Sequence, residues 1–342
     1  MNISKSSRYE LPIFENPIVT SGLLGLQYSM FQACHKDLSP ALINHYINIS
    51  MNVDSRSEYS HIYDDNWLCK EGVMHWHHMT WHKEMFRNAH ERLISLIVDF
   101  ISRDYYVFGH YNAYYIGAEY AYNCYNTCSH YLIYGFDFEK KYFLSIGNTQ
   151  NNVFEKYFIS FDEYINSVLG RTDEYLNLNF VKYNDAFEVK SNFKKIYNGI
   201  FDYLNGSHKD DGIILDKRLR HPQYGLSCYN SFIDNLVTQH NFRKGIDPLS
   251  YKIFLEHHML MQIRIDYLVE CGAIKNTNLS EEHKTICDWS KKVYVQCKKY
   301  NQVYSPELIK SIILLIQSII TTEKFILNCI LIELKDCIST TN

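Results

Sequence analysis

One stretch decides the fold of this chain, namely Cys128-Ser-His-Tyr-Leu-Ile-Tyr-Gly-Phe-Asp137, continued by Lys141-Tyr-Phe-Leu-Ser-Ile-Gly-Asn148. It predicts a β-hairpin, because an apolar, aromatic run (131–136) is followed by a polar turn and a second apolar run (142–146). The hairpin brings His130, at the start of the first strand, close to Asn148, just past the end of the second. A histidine oriented by a side-chain amide is the base half of a Cys-His-Asn triad. The alternative interpretation is a strand-initial histidine beside an ordinary turn asparagine.

The composition of the whole chain narrows the class of protein. Its 342 residues carry a net charge of −4, and no run of Lys or Arg exceeds two residues, so no nucleic-acid partner is expected. The N-terminus lacks the apolar segment of a secretion signal. The ten cysteines are scattered without a C-x-x-C pair, which is typical of reduced thiols. Together these features predict a cytoplasmic location.

The most apolar segment is Leu308–Leu334, which Lys310, Gln317, Glu323 and Lys324 interrupt. A membrane span needs about 20 predominantly apolar residues. The interruptions favour a helix that is buried on most sides, either within its domain or across a homodimer interface. No membrane partner is expected.

The chain divides into two halves, and the pattern predicts an α+β fold. Residues 1–180 mix a helix with several strands, whereas residues 181–342 show helical periodicity and are expected to form an all-helical domain. The helices of the second half are predicted at Ser191–Leu204, at Tyr229–His240, at Leu249–Val269, from Ser280, and from Ser305 with Pro306 at the first helical position.

An N-terminal helix is predicted from Ser21 to Ala33. The N-terminus of a helix lowers the pKa of a thiol, which is why papain-like enzymes place their nucleophile there. Here that position carries Thr20-Ser21-Gly22 and no cysteine. An N-cap is the alternative role for Ser21, because its hydroxyl would satisfy a free backbone N–H.

Four segments together resemble the family of the butirosin biosynthesis protein H N-terminal domain, which is related to the C39-like peptidases. They are Thr20-Ser21-Gly22 with Asp37-Leu38-Ser39, His110-Tyr-Asn-Ala-Tyr-Tyr-Ile116, His130-Tyr-Leu-Ile-Tyr-Gly-Phe-Asp137 and Phe158-Ile-Ser-Phe-Asp-Glu163. Leu255–Arg264 resembles part of the helical appendage of these proteins. The resemblance covers residues 10–170 well and 185–335 loosely.

The resemblance implies a papain-like domain, with an antiparallel sheet and an N-terminal central helix, and a helical C-terminal domain. It implies an acyltransferase of natural-product biosynthesis, which forms an amide bond by moving an acyl or aminoacyl group from a carrier-protein thioester to a small amine. Ser21 would then stand at the nucleophile, His130 at the general base and Asn148 at the orienting residue. The implied partner is an acyl or peptidyl carrier protein with its phosphopantetheinyl arm, and the chain would need no cofactor or metal of its own.

The family has cysteine where this chain has Ser21, and three explanations remain open. Ser21 is a working nucleophile, a natural loss of catalysis, or an engineered replacement of cysteine. The corresponding alternatives for the protein are a catalytically silent binding protein of papain fold and a C39-like peptidase.

Two further histidine groups lie outside this triad. His78 and His82, within His75-Trp-His-His-Met-Thr-Trp-His82, have the spacing of two metal ligands on one face of a helix, but no second ligand cluster accompanies them. His257-His258 lies on an apolar helix. One of these two imidazoles is expected to face inward as a hydrogen-bonded structural histidine.

Overall fold

The computed structural model describes residues 7–14, 25–26, 29–30, 32–33, 43–45, 47–52, 59–62, 74–150, 153–184, 190–207 and 222–341. The described strands are β1 (Arg8–Glu10), β2 (Ile49–Asn52), β3 (Tyr59–Ile62), β4 (Met74–His82), β5 (Tyr106–Asn112), β6 (Cys128–Asp137), β7 (Tyr142–Asn148), β8 (Phe154–Ser160), β9 (Tyr175–Tyr183) and β10 (Pro222–Tyr224). The helices are α1 (Glu84–Arg87), α2 (His90–Ile101), α3 (Phe161–Leu169), α4 (Phe193–Asn205), α5 (Ser227–Asn241), α6 (Pro248–Glu270), α7 (Asn278–Val303) and α8 (Pro306–Thr341), with a 3-10 turn at Ala113–Tyr115. The predicted mixture of helix and antiparallel sheet, followed by a helical C-terminal region, is confirmed.

The chain forms two compact units, and each contains two separate pieces of sequence. The first unit is Met1–Asp37 with Asn66–Glu188, and the second is Leu38–Asp65 with Val189–Asn342. The predicted boundary at 180/181 lies close to one of these breaks, but it does not anticipate that residues 38–65 join the second unit. Backbone contacts explain this placement, since the buried guanidinium of Arg264 donates to the carbonyl oxygens of Ile43 at 2.8 Å and His45 at 2.6 Å.

The first unit is built on an antiparallel sheet with strand order β4-β9-β5-β6-β7-β8, and β1 also pairs with β6. Two helices pack on it. The α2 helix buries its apolar stripe, and its Phe100 stacks on Phe180 of β9 at 3.7 Å between ring centroids. The α3 helix begins with a capping box formed by Ser160 and Glu163, and its Tyr164 hydroxyl lies 2.7 Å from that of Tyr131 on β6.

The central strand β6 is buried on both faces, because every residue from Tyr131 to Asp137 is buried. The described helical residues between 25 and 33 are linked to this strand through residues 11–14. The Leu11 amide donates to the Tyr134 carbonyl at 2.8 Å, and the Phe14 amide donates to the Ser29 carbonyl at 3.1 Å. Leu26 and Met30, on the same helical segment, are buried.

The second unit is mainly helical, but it is not all-helical as the sequence predicts. A three-stranded antiparallel sheet of order β10-β2-β3 accompanies helices α4 to α8. Two of its strands come from residues 49–62, which the predicted boundary assigns to the first domain. The helices predicted from caps and periodicity in this half are all present within a few residues of their expected bounds.

Helix α8 contains the apolar segment of the sequence. Within the described residues it is the one helix that is long and apolar enough to cross a bilayer, and a third of its most apolar window is buried inside the protein. A single stripe of α8 faces the interior, while Leu314, Phe325 and Ile332 remain exposed. The expectation that this helix is buried on most sides is therefore wrong within one chain.

Candidate active site

The predicted β6–β7 hairpin is confirmed, and it places His130 and Asn148 at the same end of neighbouring strands. The two strands pair from Asp137 opposite Tyr142 to Leu132 opposite Ile146. The turn is stabilised by the Asp137 carboxylate, which accepts from the Lys140 amide at 2.9 Å. His130 and Asn148 each lie two residues beyond the last of these pairs. Their proximity follows from the register of the hairpin.

His130 also faces a second histidine, which the sequence does not single out. Along the edge of β6 that pairs with β5, His130 lies opposite His110, and the two ring centroids are 4.3 Å apart. The Phe108 ring stacks against His130 at 6.1 Å. Both imidazoles are partly buried. The site therefore contains a pair of adjacent histidines and not a single base.

Burial lowers the pKa of His130 to about 4, and the nearby His110 and Arg171 contribute to the same shift. The pKa of His110 is also lowered, chiefly by burial and then by Arg171. Both rings are consequently neutral at pH 7. A neutral imidazole can accept a proton from a hydroxyl or an amine. This environment disfavours a stable thiolate–imidazolium ion pair, because the imidazolium form is the one it destabilises.

A cavity of about 180 Å³ lies at the end of β5 and β6, two residues beyond the histidine pair, and neither histidine lines it. It is lined by Asn112, Asn126, Thr127, Cys128, Arg171, Thr172 and Asp173. Cys128 precedes His130 by two residues and lies on the same face of the strand. Burial raises the pKa of its thiol, so Cys128 is not an activated nucleophile. The cavity offers amide, hydroxyl and guanidinium groups to a polar ligand.

On the opposite face of the sheet, a buried carboxyl group lies at the same end of β6. Glu119 accepts hydrogen bonds from Tyr111 at 2.5 Å and from Ser129 at 3.2 Å, and Tyr111 in turn meets Tyr157 at 2.6 Å between hydroxyl oxygens. Burial raises the pKa of Glu119. Since Ser129 is the neighbour of His130, this network fixes the backbone that carries the histidine. No local sequence pattern marks Glu119, because its burial arises only from the tertiary fold.

The predicted nucleophile Ser21 lies outside the described residues. Its distance to His130 therefore stays a prediction, as does the role of Asn148 as the orienting residue. Of the predicted triad, the structure brings together His130 and Asn148 on neighbouring strands. The additional groups at this site are His110, which the register between β5 and β6 places, and Arg171 and the cavity, which arise only from the tertiary fold.

The interpretation of His78 and His82 as a pair on a helix is wrong. Both lie on strand β4, where four residues span about 13 Å, too far for two ligands of one metal ion. His78 is held instead by Asn179 at 2.8 Å and by Thr80 at 3.0 Å. This histidine belongs to a polar ladder on the sheet surface.

Comparison with known proteins finds no family model and no curated protein that matches this chain.

Proposed function

We propose that the first unit is a papain-like acyltransferase that forms amide bonds. The observation that supports it most is the placement of His130, a neutral imidazole at the start of β6, beside the end of β7 with Asn148 and next to a polar cavity. A papain-like enzyme carries its nucleophile at the start of a helix, and the described residues 25–26, 29–30 and 32–33 of this chain are helical. Ser21 is the residue that stands at the start of that segment in the sequence.

The proposed reaction has two steps. The Ser21 oxygen attacks the carbonyl of a carrier-protein thioester while His130 accepts its proton; the carbon–sulfur bond breaks, and the departing thiolate takes that proton from His130. The amine then attacks the acyl-Ser21 ester, His130 accepts a proton from the amine, and the proton returns to the Ser21 oxygen as the ester bond breaks. The products are an amide and a free phosphopantetheinyl thiol.

The serine is compatible with the electrostatics of the site. A Ser–His pair begins as two neutral groups, and it needs a base that is unprotonated at pH 7. His130 meets that requirement, although its pKa of about 4 makes it a weaker base than an imidazole of ordinary pKa. The Asn148 side chain carries no charge and would orient the ring without raising this pKa.

Variants at the site test the proposal with an acyl thioester of N-acetylcysteamine and a primary amine. We expect His130→Gln to lower the rate of amide formation about 10²- to 10⁴-fold, the usual contribution of a general base. His78→Gln is the matched control, since it removes an exposed histidine from the same sheet. Ser21→Ala should abolish the acyl-enzyme adduct in intact-protein mass spectra, whereas Cys128→Ala should keep it.

The variant Ser21→Cys separates the alternatives. A thiol is the better nucleophile at neutral pH, so this variant should accumulate a thioester-linked acyl-enzyme. Binding of acyl-carrier protein without any adduct, in both the wild type and the Ser21→Cys variant, would favour a catalytically silent binding protein. Cleavage of peptide substrates without transfer to amines would favour a peptidase.

A further inference from the structure

The core of the second unit contains a cluster of ionisable side chains that the proposed acyl transfer does not use. His257 and His258 lie on α6, His283 lies on α7 and Glu323 lies on α8, and all four are fully buried. One ligand atom from each of His257, His258 and Glu323 lies within 4.8 Å of the other two. The His283 ring is 6.2 Å from that of His258. Buried charge of this kind is costly unless it is paired or coordinated to a metal.

The outer atoms of this cluster are all engaged by hydrogen bonds. His257 directs Nε2 at the Ile47 carbonyl oxygen at 2.9 Å, and His283 directs Nδ1 at Gln262 Oε1 at 2.9 Å. Since an oxygen of this type only accepts, each of these nitrogens carries its ring proton. The orientation of the Gln262 amide is fixed, because its nitrogen donates to Asp266 at 2.8 Å. Histidine ligands of metals are held in the same way, by an oxygen that accepts from the far nitrogen.

Glu323 is oriented in the same manner. Its Oε2 accepts from the hydroxyls of Tyr203 at 2.9 Å and Tyr229 at 3.1 Å. Hydrogen bonds donated by two hydroxyls favour the ionised form of this carboxyl. Its second oxygen, Oε1, is not bonded to either tyrosine.

The inner atoms of the cluster are acceptors that lack donors. His257 Nδ1, His283 Nε2 and Glu323 Oε1 are buried and have no hydrogen-bond partner among the described residues. Because the outer nitrogen of His257 and that of His283 carry the ring proton, the inner nitrogen of each neutral ring has a lone pair. In contrast, His258 Nε2 lies 3.5 Å from Glu323 Oε1 and 2.6 Å from the Tyr229 hydroxyl. A metal ion bound by this nitrogen would replace its hydrogen bond with Tyr229, and it would supply the partner that the lone pairs of His257, His283 and Glu323 lack.

We propose that this cluster is a buried binding site for one divalent transition-metal ion, with His257, His258 and Glu323 as ligands and His283 as the fourth. A metal–ligand distance of 2.0–2.1 Å puts tetrahedral ligand atoms about 3.3 Å apart, close to the 3.5 Å between His258 Nε2 and Glu323 Oε1. The ligand atoms of His257, His258 and Glu323 lie within 4.8 Å of one another and would have to draw in by somewhat more than 1 Å at most, and His283 would have to approach this group of three. The metal would join α6, α7 and α8, in the way that helical bundles hold metals in their cores.

The donor set indicates the class of metal. Cys287 lies nearby, but its thiol is directed at the His258 carbonyl oxygen at 3.4 Å, so the inner donors are imidazole nitrogens and one carboxylate oxygen. This combination suits Zn²⁺ and Fe²⁺, whereas Mg²⁺ and Ca²⁺ prefer oxygen ligands. The site is closed to solvent and would hold the ion as a structural element of the unit.

The metal content of the full chain tests the proposal. The protein, purified without a histidine tag or chelator, should contain about one equivalent of zinc or iron by plasma mass spectrometry, and this measurement distinguishes the two metals. Chelated apoprotein should take up one equivalent of Co²⁺, with visible absorption bands typical of a four-coordinate site. Glu323→Gln and His257→Gln should each reduce the bound metal to less than a tenth of an equivalent after dialysis. His240→Gln, a histidine of the same unit that contacts Tyr300 at 3.0 Å, should retain the full amount.

A variant outside the ligand set guards against loss of folding. Tyr203→Phe removes a hydroxyl that orients Glu323, and it should weaken the metal affinity 10- to 100-fold while the helical circular dichroism is unchanged. Wild-type apoprotein that binds no Zn²⁺, Fe²⁺ or Co²⁺, and whose melting temperature these ions do not change, would overturn the proposal. Full metal retention in both Glu323→Gln and His257→Gln would overturn it equally, since the ion would then be bound elsewhere.

Discussion

Each of the two units brings histidines together, but the two groups differ in what surrounds them. In the sheet unit, His110 and His130 are partly buried at the ends of paired strands, next to a cavity of about 180 Å³. In the helical unit, His257, His258 and His283 are fully buried among helices and share a buried carboxylate. An open histidine pair can meet a substrate and exchange protons with it. A histidine cluster that is closed to solvent can hold a bound ion but cannot meet a substrate. The comparison therefore distinguishes a candidate catalytic site from a candidate structural site.

The largest effect on stability is expected from removing the carboxylate of the buried cluster in the helical unit. Glu323→Ala removes a buried carboxyl group that accepts hydrogen bonds from Tyr203 and Tyr229 and lies 3.5 Å from His258. Removing one charged partner from a buried polar cluster costs about 3–5 kcal/mol, so the free energy of unfolding should fall by that amount. Urea unfolding followed by helical circular dichroism measures it. Glu307→Ala, which removes an exposed carboxylate from the first turn of the same helix, is the control and should change the midpoint little. Equal stability of the two variants would show that Glu323 is not an electrostatic centre of the unit.

The two groups also differ in how far the sequence predicts them. The apolar runs and polar turn of β6 and β7 are local signals, and they predict the hairpin and hence the proximity of His130 and Asn148. Pairing of His130 with His110 depends on the register between β5 and β6, which no short motif encodes. The helices of the second unit follow from caps and periodicity, but the sheet of β2, β3 and β10 joins distant segments and is missed.

The buried cluster of the helical unit depends even more on tertiary packing that the sequence does not reveal. One of His257 and His258 is predicted to face inward, whereas both are fully buried because α6 is covered on most of its circumference. Glu323 looks in the sequence like a polar interruption of an apolar helix, 65 residues after His258. Its significance comes from the packing of α8 against the helices that carry Tyr203, Tyr229 and His258. A carboxylate that interrupts an apolar helix is thus a signal for a buried polar site, provided that the fold supplies its partners.

The second prediction concerns the open pair and its dependence on pH. The pKa of His130 is about 4 in the folded protein, against about 6.5 in an unfolded chain. Between these values the unfolded state binds more protons, so the contribution of His130 to stability falls as the pH is lowered from 6.5 to 4 and is constant outside this interval. The full loss is roughly 3 kcal/mol. Wild type should therefore lose stability relative to His130→Gln across this interval and nowhere else.

Comparison of the two proteins separates His130 from most of the groups near it. Arg171, Asp173 and Cys128 are present in both, and their titrations cancel in the difference between the unfolding free energies, whereas His110 is coupled to His130 and contributes to this difference. Unfolding by urea at a series of pH values from 3.5 to 7.5 provides the measurement. A difference that does not change with pH would mean that His130 titrates near its ordinary pKa and is more open to water than its position on β6 indicates.

The smallest effect is expected from separating the two rings of the open pair. The charge of one protonated imidazole opposes protonation of the other, and the ring centroids are only 4.3 Å apart. His110→Gln keeps a polar side chain of similar length but removes this repulsion, so the pKa of His130 should rise, although burial and Arg171 should still hold it below its usual value. Titration of the ¹³C-labelled imidazoles by NMR, in wild type and in His110→Gln, gives both values, with His78→Gln as the variant that should leave His130 unchanged. If acyl transfer proceeds through His130 as the base, the lower limb of the pH–rate profile should move in the same direction as this pKa. If the pKa of His130 rises while the pH–rate profile is unchanged, a group other than His130 accepts the proton during acyl transfer.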